Sequence, residues 1–209
     1  MKTFSEYGGF VPTDLVFTDE KRGYLVGTVQ DGKGALILET KDRGRTWGLV
    51  FRNSEWLELR RVVFAGETGC AVGGAAIVCT IDGGNHWKEV FTAERVLPFG
   101  SVFLVDSNTA WAVGGPGTAL KATSVLGTWQ RLDLVGDIVS SFLWGIAFLT
   151  RNQGWICGDK GAVFETRDGG VSWTQLERPG TGFVRDITVN STRLLVASDD
   201  GIFFRRLSH

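Results

Sequence analysis

Apolar residues in this chain come in short runs, separated by turns rich in glycine and aspartate. The stretch from Gly145 to Glu177 shows the pattern. "GIAF" (145–148), "QGWICG" (153–158), "AVFET" (162–166) and "SWTQLE" (172–177) are each of strand length, with turn signals between them. No run carries the 3.6-residue period of a helix. The spacing therefore predicts four short antiparallel strands.

The pattern returns along the chain. The second strand reads "YLVG" ending at Gly27, "CAVG" at Gly73, "WAVG" at Gly114, "WICG" at Gly158 and, more faintly, "LVAS" at Ser198. The steps 27 to 73, 73 to 114, 114 to 158 and 158 to 198 are 46, 41, 44 and 40 residues. A strand-built period in the forties predicts an all-β propeller made of four-stranded antiparallel blades. Ring closure would remove the sheet edges that so many strands otherwise expose.

A second repeat falls between the third and fourth strands. "TKDRGRTW", "TIDGGNHW" and "TRDGGVSW" share the pattern T-x-D-x-G-x-x-W. Its members are Thr40, Asp42, Gly44 and Trp47; Thr80, Asp82, Gly84 and Trp87; Thr166, Asp168, Gly170 and Trp173. The chain must reverse sharply there. A carboxylate can accept turn amides, a threonine hydroxyl can tie into the same turn, and glycine supplies a backbone shape that other residues resist. The tryptophans are expected to carry apolar area into the seams between blades. These residues read as structural, and Asp42, Asp82 and Asp168 are not expected to be catalytic.

This box resembles the Asp-box, or bacterial neuraminidase, repeat family. "GWICGDKGAVFETRDGGVSW" is similar to the repeats of the photosystem II stability/assembly factor propellers of plants and cyanobacteria, which join a G-W-x-V-G strand to an Asp box. The likeness covers four units, about residues 14 to 177, with a partial fifth after them. It implies a propeller that works as an assembly factor by binding protein, with an arginine-rich patch on one face. Two units depart from the pattern. Unit three, "KATSVLGTWQ" (121–130), lacks the aspartate and has its glycine displaced to Gly127. Unit five, "DITVNSTRLLVASDDGIFFRRL", has three strands and no box.

The blades are placed at about 14–51, 59–91, 100–134, 144–177 and 183–207, in one domain spanning 1–209. "KTFSEY" (2–7) is expected to pair outside unit five and close a five-bladed ring. The alternative is an open arc, or pairing with another copy.

Composition narrows the function. Glycine is abundant, 29 residues against 4 prolines, which fits many tight turns. A net charge of −1 gives no global attraction to nucleic acid or to an anionic membrane. No apolar run approaches a membrane span. "MKTFSEYGGF" lacks the apolar core of a signal peptide, so the chain reads as cytoplasmic, or as exported and seen without its leader. A monomer is expected. Cys70 and Cys79 flank "AVGGAAIV" and could meet across a hairpin; free thiols are expected instead, because Cys157 shows cysteine serving here as a small apolar residue. With no phosphate loop, zinc spacing or EF-hand loop, no cofactor and no metal are expected.

Binding residues tend to sit on loops held by a rigid scaffold. In an up-and-down blade the connectors between blades share a face with the two-to-three loops. These connectors are long: 52–61, 92–100, 135–144 and 178–186. They hold Arg60, Arg61, Arg185, Trp56 and Trp144, residue types favoured as interface anchors. Asp14 and Asp186 start inner strands and offer a carboxylate pair of the glycosidase kind. A sialidase is disfavoured, since only Tyr7 and Tyr24 are available as nucleophile and Tyr24 takes a core position. His86 lies inside a box and His209 is the last residue, which leaves no hydrolase triad. The expected function is a non-enzymatic scaffold that binds another protein through its connector face. The alternative is a carbohydrate-binding or glycoside-hydrolase propeller.

Overall fold

The computed structural model describes residues 7–30, 34–54, 58–93, 98–134, 136–177 and 180–207. Five antiparallel sheets follow one another along the chain, each with its strands in sequence order. Blade one holds β1 (Phe10–Phe17), β2 (Gly23–Val29), β3 (Ala35–Thr40) and β4 (Gly48–Asn53). Blade two holds β5 (Arg61–Ala65), β6 (Thr68–Gly73), β7 (Ala76–Thr80) and β8 (Lys88–Thr92). Blade three holds β9 (Phe99–Leu104), β10 (Ala110–Gly114), β11 (Thr118–Ala122) and β12 (Gln130–Arg131). Blade four holds β13 (Leu143–Phe148), β14 (Gly154–Gly158), β15 (Val163–Thr166) and β16 (Thr174–Gln175). Blade five holds β17 (Val184–Val189), β18 (Arg193–Ser198) and β19 (Gly201–Arg206). This is the all-β propeller architecture that the repeats predict. The first strand begins at Phe10 rather than Asp14, because pairing with β2 continues through a bulge between Pro12 and Asp14.

Central strands β6, β10 and β14 are buried from end to end. Both their faces meet other sheets, which is why they read as nearly continuous apolar runs rather than alternating ones. Tyr24, Trp111 and Trp155 occupy equivalent sites on β2, β10 and β14, and are almost fully buried. The apolar clusters lie in the seams: Tyr24 and Val62 between blades one and two, Ile77 and Phe99 between two and three, Trp111 and Leu143 between three and four, Trp155 and Val184 between four and five. Each such side chain contributes roughly 1.5–3 kcal/mol by leaving water.

The three boxes are built alike. Thr40, Thr80 and Thr166 each donate a hydroxyl to the box aspartate and accept the N–H of Gly44, Gly84 or Gly170. The aspartate also accepts the N–H and side chain of the residue before the tryptophan, Thr46, His86 or Ser172. These bonds hold the Asp42 and Asp168 carboxyls down at about 2, and that of Asp82 well below its ordinary value. In box-less blade three, Trp129 keeps the seam position, buried and donating its ring N–H to the Val125 carbonyl.

Two expectations need correction or restriction. Cys70 on β6 and Cys79 on β7 stand directly opposite in the ladder, 4.2 Å apart at Cα, and are joined as a disulfide rather than free. Hairpin register, which the spacing alone left open, brings their side chains together. Cys157 is free and buried, and burial pushes its thiol pKa up. The closing segment falls, apart from Tyr7, outside the described residues. Tyr7 itself packs on blade one beside Trp47 and donates its hydroxyl to the Trp47 carbonyl at 3.0 Å.

Candidate functional site

Arg60 stands just before β5, Arg61 opens it, and Arg185 lies near the start of β17. Trp144 lies on β13 and Phe142 just before it, at the same end of the sheets. Trp144 is half-buried rather than lost in a seam. Its ring N–H donates to Asp159 Oδ1 at 2.7 Å, and Asp159 belongs to the turn between β14 and β15. Phe142 stacks on its ring at 4.0 Å. The guanidinium groups of Arg60 and Arg185 each lie 5.9 Å from the same ring, within the range where a cation is drawn to an aromatic face. Blades two, four and five thus converge on one indole. Thr13, Glu58, Arg61 and Gly100 line the remainder of this groove, of about 330 Å³.

Every arginine here has a resident carboxylate. Arg60 Nε meets Glu58 Oε1 at 2.5 Å, Arg61 Nη2 meets Asp186 at 3.2 Å, and Arg185 Nε and Nη2 donate to Asp199 at 2.9 and 3.0 Å. The Arg185 hydrogen bonds hold the Asp199 carboxyl below its usual range. A guanidinium carries five N–H donors. One or two of them are used at each arginine by these contacts, so the rest can meet a second acceptor. The Arg61–Asp186 bridge joins blade two to blade five. Sequence reasoning missed Phe142, Asp159, Glu58 and Asp199. Nothing in the repeat marks them, since each matters only through a neighbour on another strand or loop. Trp56 lies outside the described residues.

The carboxylate pair is engaged elsewhere. Asp14 Oδ2 accepts the N–H of Val62 at 2.9 Å and so stitches blade one to blade two, while Asp186 holds Arg61. Tyr24 is sealed in a seam, and its hydroxyl donates to the Gly83 carbonyl. Among the described residues no group of three or more His, Cys, Asp or Glu side chains gathers as for a metal.

The sequence model of the Photosynthesis system II assembly factor YCF48 family matches residues 8–102 and 124–201. The photosystem II assembly lipoprotein Ycf48 of Synechococcus sp. (strain CC9902) is 27% identical over 184 residues, which cover 86% of this chain and 41% of that protein. The rice (Oryza sativa subsp. japonica) chloroplastic photosystem II stability/assembly factor HCF136 is 39% identical over 54 residues, 26% of this chain and 13% of that protein. The chain therefore spans well under half the length of these relatives. Among solved structures, YCF48 bound to D1 peptide has a TM-score of 0.52 at 18% identity, covering 97% of this chain and 95% of that one. The β-propeller domain of Myceliophteria thermophila Cps50 (Swd1) has a TM-score of 0.68 at 10% identity, covering 96% of this chain and 70% of that one. At such identities the structures speak for the fold alone.

Proposed function

The chain belongs to the Photosynthesis system II assembly factor YCF48 family, and from that premise we propose that it is a non-enzymatic propeller that holds a segment of another protein on its connector face. The observation that carries the reading is the indole of Trp144 set between Arg60 and Arg185, with Arg61 in the same groove. Arginine forks hold carboxylates bidentately, and the aromatic beside them adds apolar area. The partner segment is thus one that brings carboxylates next to an apolar or aromatic side chain. The resident acids Glu58, Asp186 and Asp199 keep the arginines extended and aimed before it arrives, which lowers the ordering cost of binding. Glycoside cleavage has no comparable support, since Asp14 and Asp186 serve as a backbone acceptor and an arginine partner.

A relative in this family has been seen with a D1 peptide bound, so a labelled D1 peptide from the native host is the first probe. Fluorescence anisotropy is expected to show binding to the wild type. Replacing Arg60 and Arg185 together with glutamate should weaken it by at least about tenfold, near 1.4 kcal/mol. The melting temperature should hardly move, because exposed ion pairs contribute little to stability. Equal binding by the double variant would remove the connector face from the reading.

A further inference from the structure

Blade two departs from a pattern that its neighbours keep. At one position of the second strand, blades one, three and four carry a large buried ring: Tyr24, Trp111 and Trp155. Blade two carries Cys70 there. The residue opposite each ring on the third strand is charged, Glu39, Lys121 or Glu165. Opposite Cys70 stands Cys79, and the two are joined. The following blade changes as well. A Cβ on Gly84 would run into the Tyr24 ring, and one on Gly170 into the Trp111 ring, so a ring in one blade needs a box glycine in the next. Aligned on Trp129, blade three has Ala122, Ser124 and Leu126 where blade two has Thr80, Asp82 and Gly84. A cystine takes less room than an indole. Val125 and Leu126 fill the difference and pack in one apolar cluster with Cys70, Cys79 and Trp129. A disulfide therefore stands at the seam between blades two and three, where a ring and a box glycine meet at the seams between one and two and between three and four.

Two features connect this disulfide to the groove around Trp144. First, the turn packed with it lacks the Thr–Asp–Gly bonds of a box. Its links are the Gly127 N–H to the Ser124 carbonyl at 2.9 Å and the Trp129 ring N–H to the Val125 carbonyl at 3.1 Å. A segment with few such bonds opens locally at low cost. Second, two of the groove's arginines hang on the disulfide's own strand. The Arg60 N–H donates to the Val72 carbonyl at 2.7 Å and Arg61 pairs with Val72, two residues along β6 from Cys70. The indole that Arg60 approaches belongs to blade four, beyond the seam. Once the S–S bond is broken the two sulfurs must part to non-bonded distance, and a close-packed seam has no spare room for that. Other links keep the blades attached: the Thr68 hydroxyl to the Ser107 carbonyl at 3.0 Å, the Phe99 N–H to the Gly74 carbonyl at 3.2 Å, and the Phe91 ring edge-on to Phe99 at 5.9 Å. The seam then loosens without coming apart.

We propose that the Cys70–Cys79 disulfide is a redox latch on the connector-face site, an inference that rests on that site's role in holding a partner. Closed, the latch sets blade two so that Arg60 reaches the Trp144 indole and Arg61 reaches Asp186. A dithiol opens it by exchange. A thiolate of the dithiol attacks one sulfur and the Cys70–Cys79 bond breaks. The dithiol's second thiolate then displaces the protein from the mixed disulfide, and the reductant leaves as a disulfide. Two electrons and two protons pass to Cys70 and Cys79, which end as thiols. Blade two shifts against blade three, and its arginines lose their setting over the indole. Cys157 is free and buried in the seam between blades four and five, and takes no part.

The test compares the full chain, oxidised and after dithiothreitol, without denaturant. Thiol titration should show the disulfide opened. Amide hydrogen exchange read by mass spectrometry should quicken in β5, β6 and β9 on reduction and hold steady in β10 and β13, across the next seam. The labelled D1 peptide should bind the reduced protein more weakly by about fivefold or more. Cys70→Ala with Cys79→Ala should bind as the reduced wild type does and ignore the reductant; if that variant does not melt cooperatively, the wild type in its two states decides. Cys157→Ala should keep the whole redox response. A disulfide that dithiothreitol leaves closed overturns the proposal, as does equal exchange in the two states or a double variant that binds like the oxidised wild type. Equal peptide binding by both states overturns the latch and leaves the connector-face reading intact. A protein that binds the peptide in neither state breaks that reading, and the latch with it, even where exchange shows the seam loosening.

Discussion

The box after β3 and the boxes after β7 and β15 share their local bonds but not their neighbours. In blade two, a Cβ added to Gly84 would lie 2.5 Å from the Tyr24 ring of blade one; in blade four, one added to Gly170 would lie 2.0 Å from the Trp111 ring of blade three. These glycines have φ of 85° and 89°. They serve twice, as a backbone shape and as the space into which the previous blade presses its central aromatic. Further contacts reinforce the join: the Tyr24 hydroxyl donates to Gly83, and Lys121 Nζ donates to the Gly169 carbonyl at 2.9 Å. Gly44 of blade one has φ of 81°, yet a Cβ there meets only side chains of its own blade at ordinary contact distance, Trp47 at 3.6 Å and Phe17 at 3.9 Å. The tryptophans divide in the same way. Trp87 packs on Tyr24 and Phe64, and Trp173 on Trp111 and Phe148, whereas Trp47 packs on blade one's other face with Tyr7. A repeated sequence thus makes a repeated turn, and a preceding blade converts that turn into a joint.

The largest contrast is expected at the glycines. Gly170→Ala must both strain a left-handed backbone and push Trp111 aside, at a cost of about 4 kcal/mol. Gly44→Ala meets only the backbone strain and should cost about 1 kcal/mol. Chemical denaturation of both variants, read by tryptophan fluorescence, measures the gap; equal losses would mean that the aromatic does not press on the box. Next come the tryptophans. Trp87→Ala should cost about 3–5 kcal/mol, as large aromatic truncations in packed sites do, and Trp47→Ala distinctly less. A loss under about 1 kcal/mol for Trp87→Ala would show that it does not hold the seam.

Acid should give the smallest difference between blades, because it tests the local bonds alone. Asp42 and Asp168 are both held down at about 2 in the fold, against about 3.9 in an unfolded chain. A depressed carboxyl adds stability that is complete above about pH 4 and is lost as pH falls towards about pH 2. Asp42→Asn and Asp168→Asn should therefore flatten the fall of melting temperature across that window, and to similar extents. A flattening seen in one variant only would show that the turn depends on its blade after all.

Much of this was legible beforehand. Glycine–aspartate punctuation and short apolar runs were sufficient to place the strands, because turn chemistry and two-residue alternation act over neighbouring residues. The equivalence of Tyr24, Trp111 and Trp155 was visible because the repeat aligns them. The disulfide was not, since Cys70 and Cys79 needed the register of a hairpin to become partners. The grouping of Arg60, Arg185 and Trp144 was foreseen only as a shared face. Their approach to a single indole, and the acids that hold them, depend on how blades two, four and five are set about the axis.

The sequence by itself determined the blades as units: which residues form strands, which turns join them, and which residue of each box holds which bond. All of these are contacts between residues close along the chain, and a repeat copies them faithfully. Only the tertiary structure decided what each blade meets. Alternation says that a side chain leaves one face of a sheet, but not whether that face finds another blade, as at Tyr24, or solvent, as at Phe204 with 64% of its surface exposed. Nor could it say that Arg61 of blade two would reach Asp186 of blade five. Those outcomes follow from how successive blades are set against one another, which no stretch of local sequence contains.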